Sequence, residues 1–165
     1  MTGYRKDIIN AAAAPLPWDK LEGRNILVTG ATGLIGGCLV DVLMARRERS
    51  YHVYAAGRDE ERAHARFARY WQDERFHFIK FDVSEPFAGD TAFHYIIHAA
   101  SNASPVFFAK SPVEIIKSNV YGTANLIDYG RSHGMERFLY VSSGEIYGQG
   151  TGEKAFTETD SGYVD

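Results

Sequence analysis

Residues 25–36 read Asn-Ile-Leu-Val-Thr-Gly-Ala-Thr-Gly-Leu-Ile-Gly, an apolar run that breaks into glycines at 30, 33 and 36 before an amphipathic stretch resumes. Few folds accept that order, because it specifies a strand, a tight turn and the start of a helix in immediate succession. Gly30 can take backbone angles that a Cβ disfavours, Gly33 lets the main chain approach a ligand, and Gly36 lets the new helix lie close on the sheet. The turn leaves unpaired N–H groups at the positive end of a helix dipole, where a pyrophosphate is stabilised. Gly30, Thr32, Gly33, Leu34, Ile35 and Gly36 are therefore candidate cofactor-binding residues, although the spacing is Gly-x-x-Gly-x-x-Gly rather than the commoner Gly-x-Gly-x-x-Gly.

Periodicity extends the pattern in both directions. Upstream, Ile8–Ala14 is a short helical candidate stopped by Pro15 and Pro17, so residues 1–24 form an N-terminal helical extension that Trp18 and Leu21 pin to the domain. Strands are expected at Asn25–Thr29, His52–Ala56, Phe76–Phe81, Tyr95–Ala99 and Arg137–Ser142. Between them lie three helical stretches. The first buries Ile35, Leu39, Val42 and Leu43. The second, capped by Asp59 within Arg58–Trp71, turns Ala63, Phe67 and Tyr70 inward. The third opens at Ser111-Pro112-Val-Glu114, buries Ile116, Val120, Thr123 and Ile127, and stops near His133 at Gly134.

Strands alternating with helices through right-handed crossovers predict an α/β fold: a Rossmann-type doubly wound parallel sheet in three layers, of order 3-2-1-4-5, with the ligand crevice at the carboxyl ends of the strands. At 165 residues and 45% hydrophobic, the chain has enough apolar content for one such domain, placed at residues 25–165. The glycine turn, Arg58, Asp82, Ala99 to Ser101 and Ser142 to Glu145 all follow a strand and so share one rim.

Other chemistries fit less well. A net charge of −3 with interspersed signs lacks the basic footprint of a nucleic-acid or anionic-membrane binder. The single cysteine, Cys38, allows neither a disulfide framework nor a thiolate metal site, and no apolar run is long enough to span a membrane, so a cytoplasmic protein is expected. His94 and His98 have a metal-like spacing for a helix, but on a strand they stand roughly 13 Å apart, so no metal is expected.

Several motifs in order carry a family resemblance. Thr29-Gly-Ala-Thr-Gly-Leu-Ile-Gly36, Asp82-Val83, His98-Ala-Ala-Ser101, Asn119-Val-Tyr-Gly-Thr123 and Val141-Ser-Ser-Gly-Glu-Ile-Tyr-Gly148 resemble the extended short-chain dehydrogenase/reductase family of nucleotide-sugar epimerases, dehydratases and decarboxylases. Through His98-Ala-Ala-Ser-Asn-Ala-Ser-Pro105, Pro112 and Asn119, the motifs are most similar to the UDP-glucuronate decarboxylase branch. The resemblance implies bound NAD, with the glycines on the pyrophosphate, Asp82 and Val83 on the adenine, Ala99, Ala100 and Ser101 on the nicotinamide side, and Asn119 also in the cofactor site. It implies a nucleotide-diphosphate sugar as substrate, Ser143 hydrogen-bonded to the sugar hydroxyl being oxidised, and Glu145 as acid/base or orienting carboxylate. The family chemistry is internal redox through a 4-keto sugar, whose ketone acidifies the neighbouring carbon or lets a C5 carboxylate leave as CO₂.

Two departures shape the expectation. Gly144-Glu145 stands where the 4,6-dehydratases carry Asp-Glu, which favours decarboxylase- or epimerase-like chemistry over dehydration. No tyrosine has a lysine four residues later, so the family's Tyr-x-x-x-Lys is absent and the 165 residues alone are expected to be catalytically silent, as the cofactor-binding portion of a larger enzyme. A non-catalytic dinucleotide-binding module is the alternative. At the end of the second strand, where NAD binders usually carry an acid, the chain reads Ala55-Ala-Gly-Arg58: Arg58 either accommodates the 2′-phosphate of NADP or is a surface arginine at a helix start. The last strand forms an uncovered edge, from which self-association as a homo-oligomer is expected.

Overall fold

The computed structural model describes residues 3–101, 105–148, 155–160 and 162. Five strands, β1 (Asn25–Thr29), β2 (His52–Gly57), β3 (Phe76–Lys80), β4 (Tyr95–His98) and β5 (Arg137–Tyr140), form one sheet of order β3-β2-β1-β4-β5. All four pairings are parallel, as the sequence pattern predicts. Side chains alternate across β1: Ile26 and Val28 join one buried cluster with Val40, Val53, Phe67 and Phe76, while Leu27 joins a second with Phe93, Ile96, Leu126 and Tyr129. Burial on both faces explains why β1 reads as a continuous apolar run.

The helices are α1 (Gly3–Ala13), α2 (Leu34–Ala45), α3 (Glu60–Phe67), α4 (Pro105–Lys110), α5 (Pro112–Ile116) and α6 (Gly122–Ser132). Asp59 caps α3 as expected, its Oδ1 accepting the Arg62 N–H at 2.9 Å, and the chain then tightens into a 3-10 turn at Ala68–Tyr70. Gly134, at φ +76, closes the end of α6.

Two expected buried faces are displaced. On α2 the sheet-facing stripe is Gly36, Gly37, Val40, Leu43 and Met44; Ile35 is exposed and Leu39 and Val42 are only partly covered. The third helix is also not one piece. It is divided into α5, a π turn at Lys117–Tyr121 and α6, and it buries Ile115, Gly122, Leu126 and Tyr129, leaving Ile116 and Val120 exposed. Ser111 stands at the N-cap position of α5 without a side-chain capping bond. In each helix two neighbouring stripes are apolar, and the glycines decide between them, since only the stripe that contains them can lie close against neighbouring main chain. A Cβ on Gly122 would come within 3.0 Å of the Val83 carbonyl.

The extension is held by polar contacts as well as by Trp18 and Leu21. Arg46 reaches the Ala12 carbonyl at 2.9 Å and lies over the Trp18 ring, whose own N–H donates to the Ala14 carbonyl at 2.8 Å. Buried Asp41 on α2 accepts from the Tyr4 hydroxyl and from Arg66 and Arg69, each at 2.6 Å. Burial alone would raise the Asp41 pKa, but these three donors outweigh it and hold the carboxyl below its usual range.

Candidate functional site

The glycine turn joins β1 to α2 beside the ends of β2 and β4. Gly30, at φ +65, packs so tightly on the Ala99–Ala100 backbone that a Cβ would lie 2.5 Å from the Ala99 oxygen. Gly36 sits under the Gly30 carbonyl, where a Cβ would lie 2.4 Å from that oxygen. Gly33 is different: only the Gly30 carbonyl, at 3.1 Å from a built Cβ, is near it, and its outer side is open.

Above this turn lies a cavity of about 450 Å³, within the usual size range for small-molecule sites. Of the candidate residues, Gly30, Thr32, Gly33, Arg58, Asp82, Val83, Ala99, Ala100 and Ser101 line it together. Gly36 supports the turn from beneath, and Leu34 and Ile35 project from the first turn of α2 into solvent. Asn119 lies in the π turn outside the lining, and its Oδ1 is buried without a partner among the described residues. Beyond β5, Ser143 caps the 3-10 turn Gly144–Tyr147 that contains Glu145, its hydroxyl accepting the Glu145 N–H at 3.2 Å; neither residue lines the cavity. Asn102, Ala103 and Ser104 lie outside the described residues.

The cavity also includes residues that sequence reasoning passed over, chiefly Gly57, Arg62, Ser84, Glu114 and Ser118. Arg62 had a usable signal, since it stands four residues after Arg58 on a helix that begins at the rim. Asp82 accepts the Ser84 N–H at 3.0 Å through Oδ1, and its Oδ2 is 3.8 Å from Arg58.

Beneath the rim, His98 ends β4 fully buried, with Nδ1 2.7 Å from the Thr29 hydroxyl and Nε2 without a hydrogen-bond partner among the described residues. Burial pushes its pKa down, opposed in part by the nearby Ser118 backbone. His94 is engaged elsewhere, its Nδ1 accepting the Asn25 N–H at 3.0 Å.

A five-stranded parallel sheet of this order, with a glycine turn opening into a cavity at the carboxyl ends of its strands, defines a Rossmann-type domain of the dinucleotide-binding class. Residues 26–163 match the NAD dependent epimerase/dehydratase family, and the chain belongs to that family. It is 36% identical over 143 residues to UDP-glucuronic acid decarboxylase 2 of Arabidopsis thaliana, covering 85% of this chain and 30% of that protein. Among solved structures it resembles the UDP-N-acetylglucosamine 4-epimerase of Methanobrevibacter ruminantium in complex with UDP-N-acetylmuramic acid, with a TM-score of 0.69, 20% identity and coverage of 85% and 44% of the two chains. It also resembles the Thermus thermophilus UDP-glucose 4-epimerase in complex with NAD, with a TM-score of 0.63, 23% identity and coverage of 83% and 43%. The chain thus spans about a third of the length of the curated relatives it matches.

Proposed function

We propose that residues 25–165 are the cofactor-binding domain of a nucleotide-sugar-modifying enzyme that oxidises its substrate internally at C4, with decarboxylase- or epimerase-like outcome. The observation that carries this reading is the convergence of Gly30, Gly33, Asp82 and Ala99 to Ser101 on one cavity, in a chain whose relatives include a UDP-glucuronic acid decarboxylase. The residues present fit a dinucleotide: the turn at Gly33 admits close backbone approach, and Gly30 and Gly36 leave no room for side chains that would displace it. Bound there, the nicotinamide supplies a hydride acceptor and donor.

The chain's own groups supply placement and polarity. Gly30, Thr32 and Gly33 cradle the pyrophosphate, Asp82 and Val83 border the adenine, and Ala99, Ala100 and Ser101 border the nicotinamide end. Ser143 polarises the sugar oxygen being oxidised, and Glu145 orients the sugar or exchanges a proton with it. With no Tyr-x-x-x-Lys in the sequence, the 165 residues by themselves turn over no nucleotide sugar, since a positioned base contributes about 10²- to 10⁴-fold in rate. The outer strand β5, with Leu139 and Tyr140 exposed, supports self-association, which sedimentation measures.

Calorimetric titration tests the reading. Nicotinamide dinucleotides bind the wild-type chain, and Gly33→Val abolishes binding while the protein stays folded. Equal affinity in the two proteins removes the glycine turn from the site.

A further inference from the structure

A second cavity, of about 270 Å³, lies where the N-terminal extension meets the far end of the domain. Tyr4, Arg5, Ile8 and Ile9 of α1 form one wall; Arg47, just past α2, and Arg69 and Tyr70, in the 3-10 turn after α3, form the other. It shares no residue with the cavity above the glycine turn. α2 leaves that turn at Leu34 and runs 12 residues to Ala45, so about 18 Å of helix separates the two. The family match begins at residue 26, after α1, so the first wall belongs to the extension alone.

Three guanidiniums line this cavity and no carboxylate does, whereas the cavity above the glycine turn has Asp82 and Glu114 in its lining. Neither Arg5 nor Arg47 forms an ion pair among the described residues. Arg69 is held from behind. Its Nη2 donates to Asp41 Oδ1 at 2.6 Å and its guanidinium lies 4.6 Å from the centre of the Tyr70 ring, while half of the side chain stays open to solvent. Asp41 does not cancel this charge, because Arg66 shares it, two cations to one carboxylate. The C-terminal end of α2 adds about half a negative charge, far less than the arginines supply.

A pocket of this make-up suits an oxyanion carried on an apolar body. Guanidiniums take phosphate oxygens through charge-assisted, paired hydrogen bonds, and a cluster of them matches a phosphomonoester dianion better than a singly charged carboxylate. Ile8, Ile9 and the two phenol rings give a flat apolar surface beside the charges. Burial pushes the pKa of Tyr70 up to about 12, so its hydroxyl keeps its proton and can donate. We propose that this cavity binds an aromatic phosphate monoester, with Arg5, Arg47 and Arg69 on the phosphate and Tyr4, Ile8, Ile9 and Tyr70 against the ring. The ligand bridges α1 to the ends of α2 and α3 and so fastens the extension to the domain. This site stands apart from the glycine turn and from any chemistry there.

Titration of phenyl phosphate into the isotope-labelled 165-residue chain, followed by amide NMR, tests the site, because the spectrum separates the two cavities. Amides of α1 and of residues 45–47 and 69–70 shift on saturation, whether or not the glycine turn also responds. Arg5→Gln and Arg47→Gln, whose side chains are exposed and unpaired among the described residues, each weaken binding about tenfold while their spectra stay those of the folded chain. Inorganic phosphate and phenol, each one part of the ligand, bind about tenfold more weakly or less, and so does benzoate. Shifts that are absent or confined to the glycine turn overturn the site, and this measurement needs no variant to fold. Arginine variants of unchanged affinity overturn the phosphate contacts. Inorganic phosphate, phenol or benzoate binding as tightly as phenyl phosphate overturns the ligand class.

Discussion

The Thr29 hydroxyl and Nδ1 of His98 lie 2.7 Å apart, joining the carboxyl ends of two adjacent strands in the interior of the sheet. Because burial holds the folded-state pKa of His98 below 6.5, the unfolded chain takes up a proton on this residue before the folded chain does. Above that pH His98 exerts no drag on stability. As pH falls below it, stability declines toward the lower folded-state pKa. His77 is shifted in the same direction, chiefly by burial, so the contribution of His98 is isolated by comparison with His98→Gln. Urea denaturation from pH 7.5 to 5.5 will show a steeper loss in wild type than in His98→Gln; equal slopes would mean that His98 does not carry the difference.

Gly30 and Gly33 should respond to different degrees to one added methyl group. Gly30→Ala forces a Cβ onto a left-handed backbone and against the Ala99 oxygen, and it will cost about 2 kcal/mol or more or prevent folding. Gly33→Ala meets one carbonyl at 3.1 Å and will cost at most about 1 kcal/mol. Chemical denaturation of the pair measures the contrast.

Asp41→Ala removes the common acceptor of Tyr4, Arg66 and Arg69 and will destabilise the fold by about 2–3 kcal/mol, less than for a fully buried pair because both guanidiniums remain partly in water. Wild type keeps this contribution above the ordinary aspartate pKa of 3.8 and loses it as pH falls through the depressed folded-state value. Hydrogen exchange will show α1 amides losing protection in the variant. Unchanged protection there would separate Asp41 from the anchoring of the extension.

The displaced face of the third helix is open to direct measurement. Leu126→Ala empties a fully buried position and will cost about 2–5 kcal/mol. Ile116→Ala, on the exposed stripe, will fall within about 0.5 kcal/mol of wild type. Reversed magnitudes would restore the face that periodicity first suggests.

Strand order, strand positions and the glycine turn were legible because each rests on a local signal: continuous apolar runs, glycines at fixed spacing, and Asp59 before a helix. Helix faces were less legible. A count of apolar residues treats glycine as a blank, yet a Cβ on Gly36, Gly37 or Gly122 would come within 3.2 Å of the Gly30, Ala31 or Val83 carbonyl oxygen, so these positions mark where the helices pack against neighbouring main chain. The cavity was legible wherever a residue lies just beyond a strand's carboxyl end, as Asp82, Ala99 and Ser101 do. Arg62 was missed because it reaches the rim from inside a helix, by the length of its side chain. Ser143 and Glu145 were marked by motif alone, and the cavity does not include them.

Asn25 and His94 touch across 69 residues of chain, and that span governs how the domain can be made on the ribosome. As the nascent chain emerges, β1 acquires β2 first and then waits with its other side unpaired until β4 has been translated and released from the exit tunnel. For that interval the future centre of the sheet is temporarily its border, an open apolar strand exposed to chaperones and to neighbouring nascent chains. Slow codons placed between β2 and β4 would lengthen the exposure, whereas the same codons after β5 would find β1 already paired on both sides.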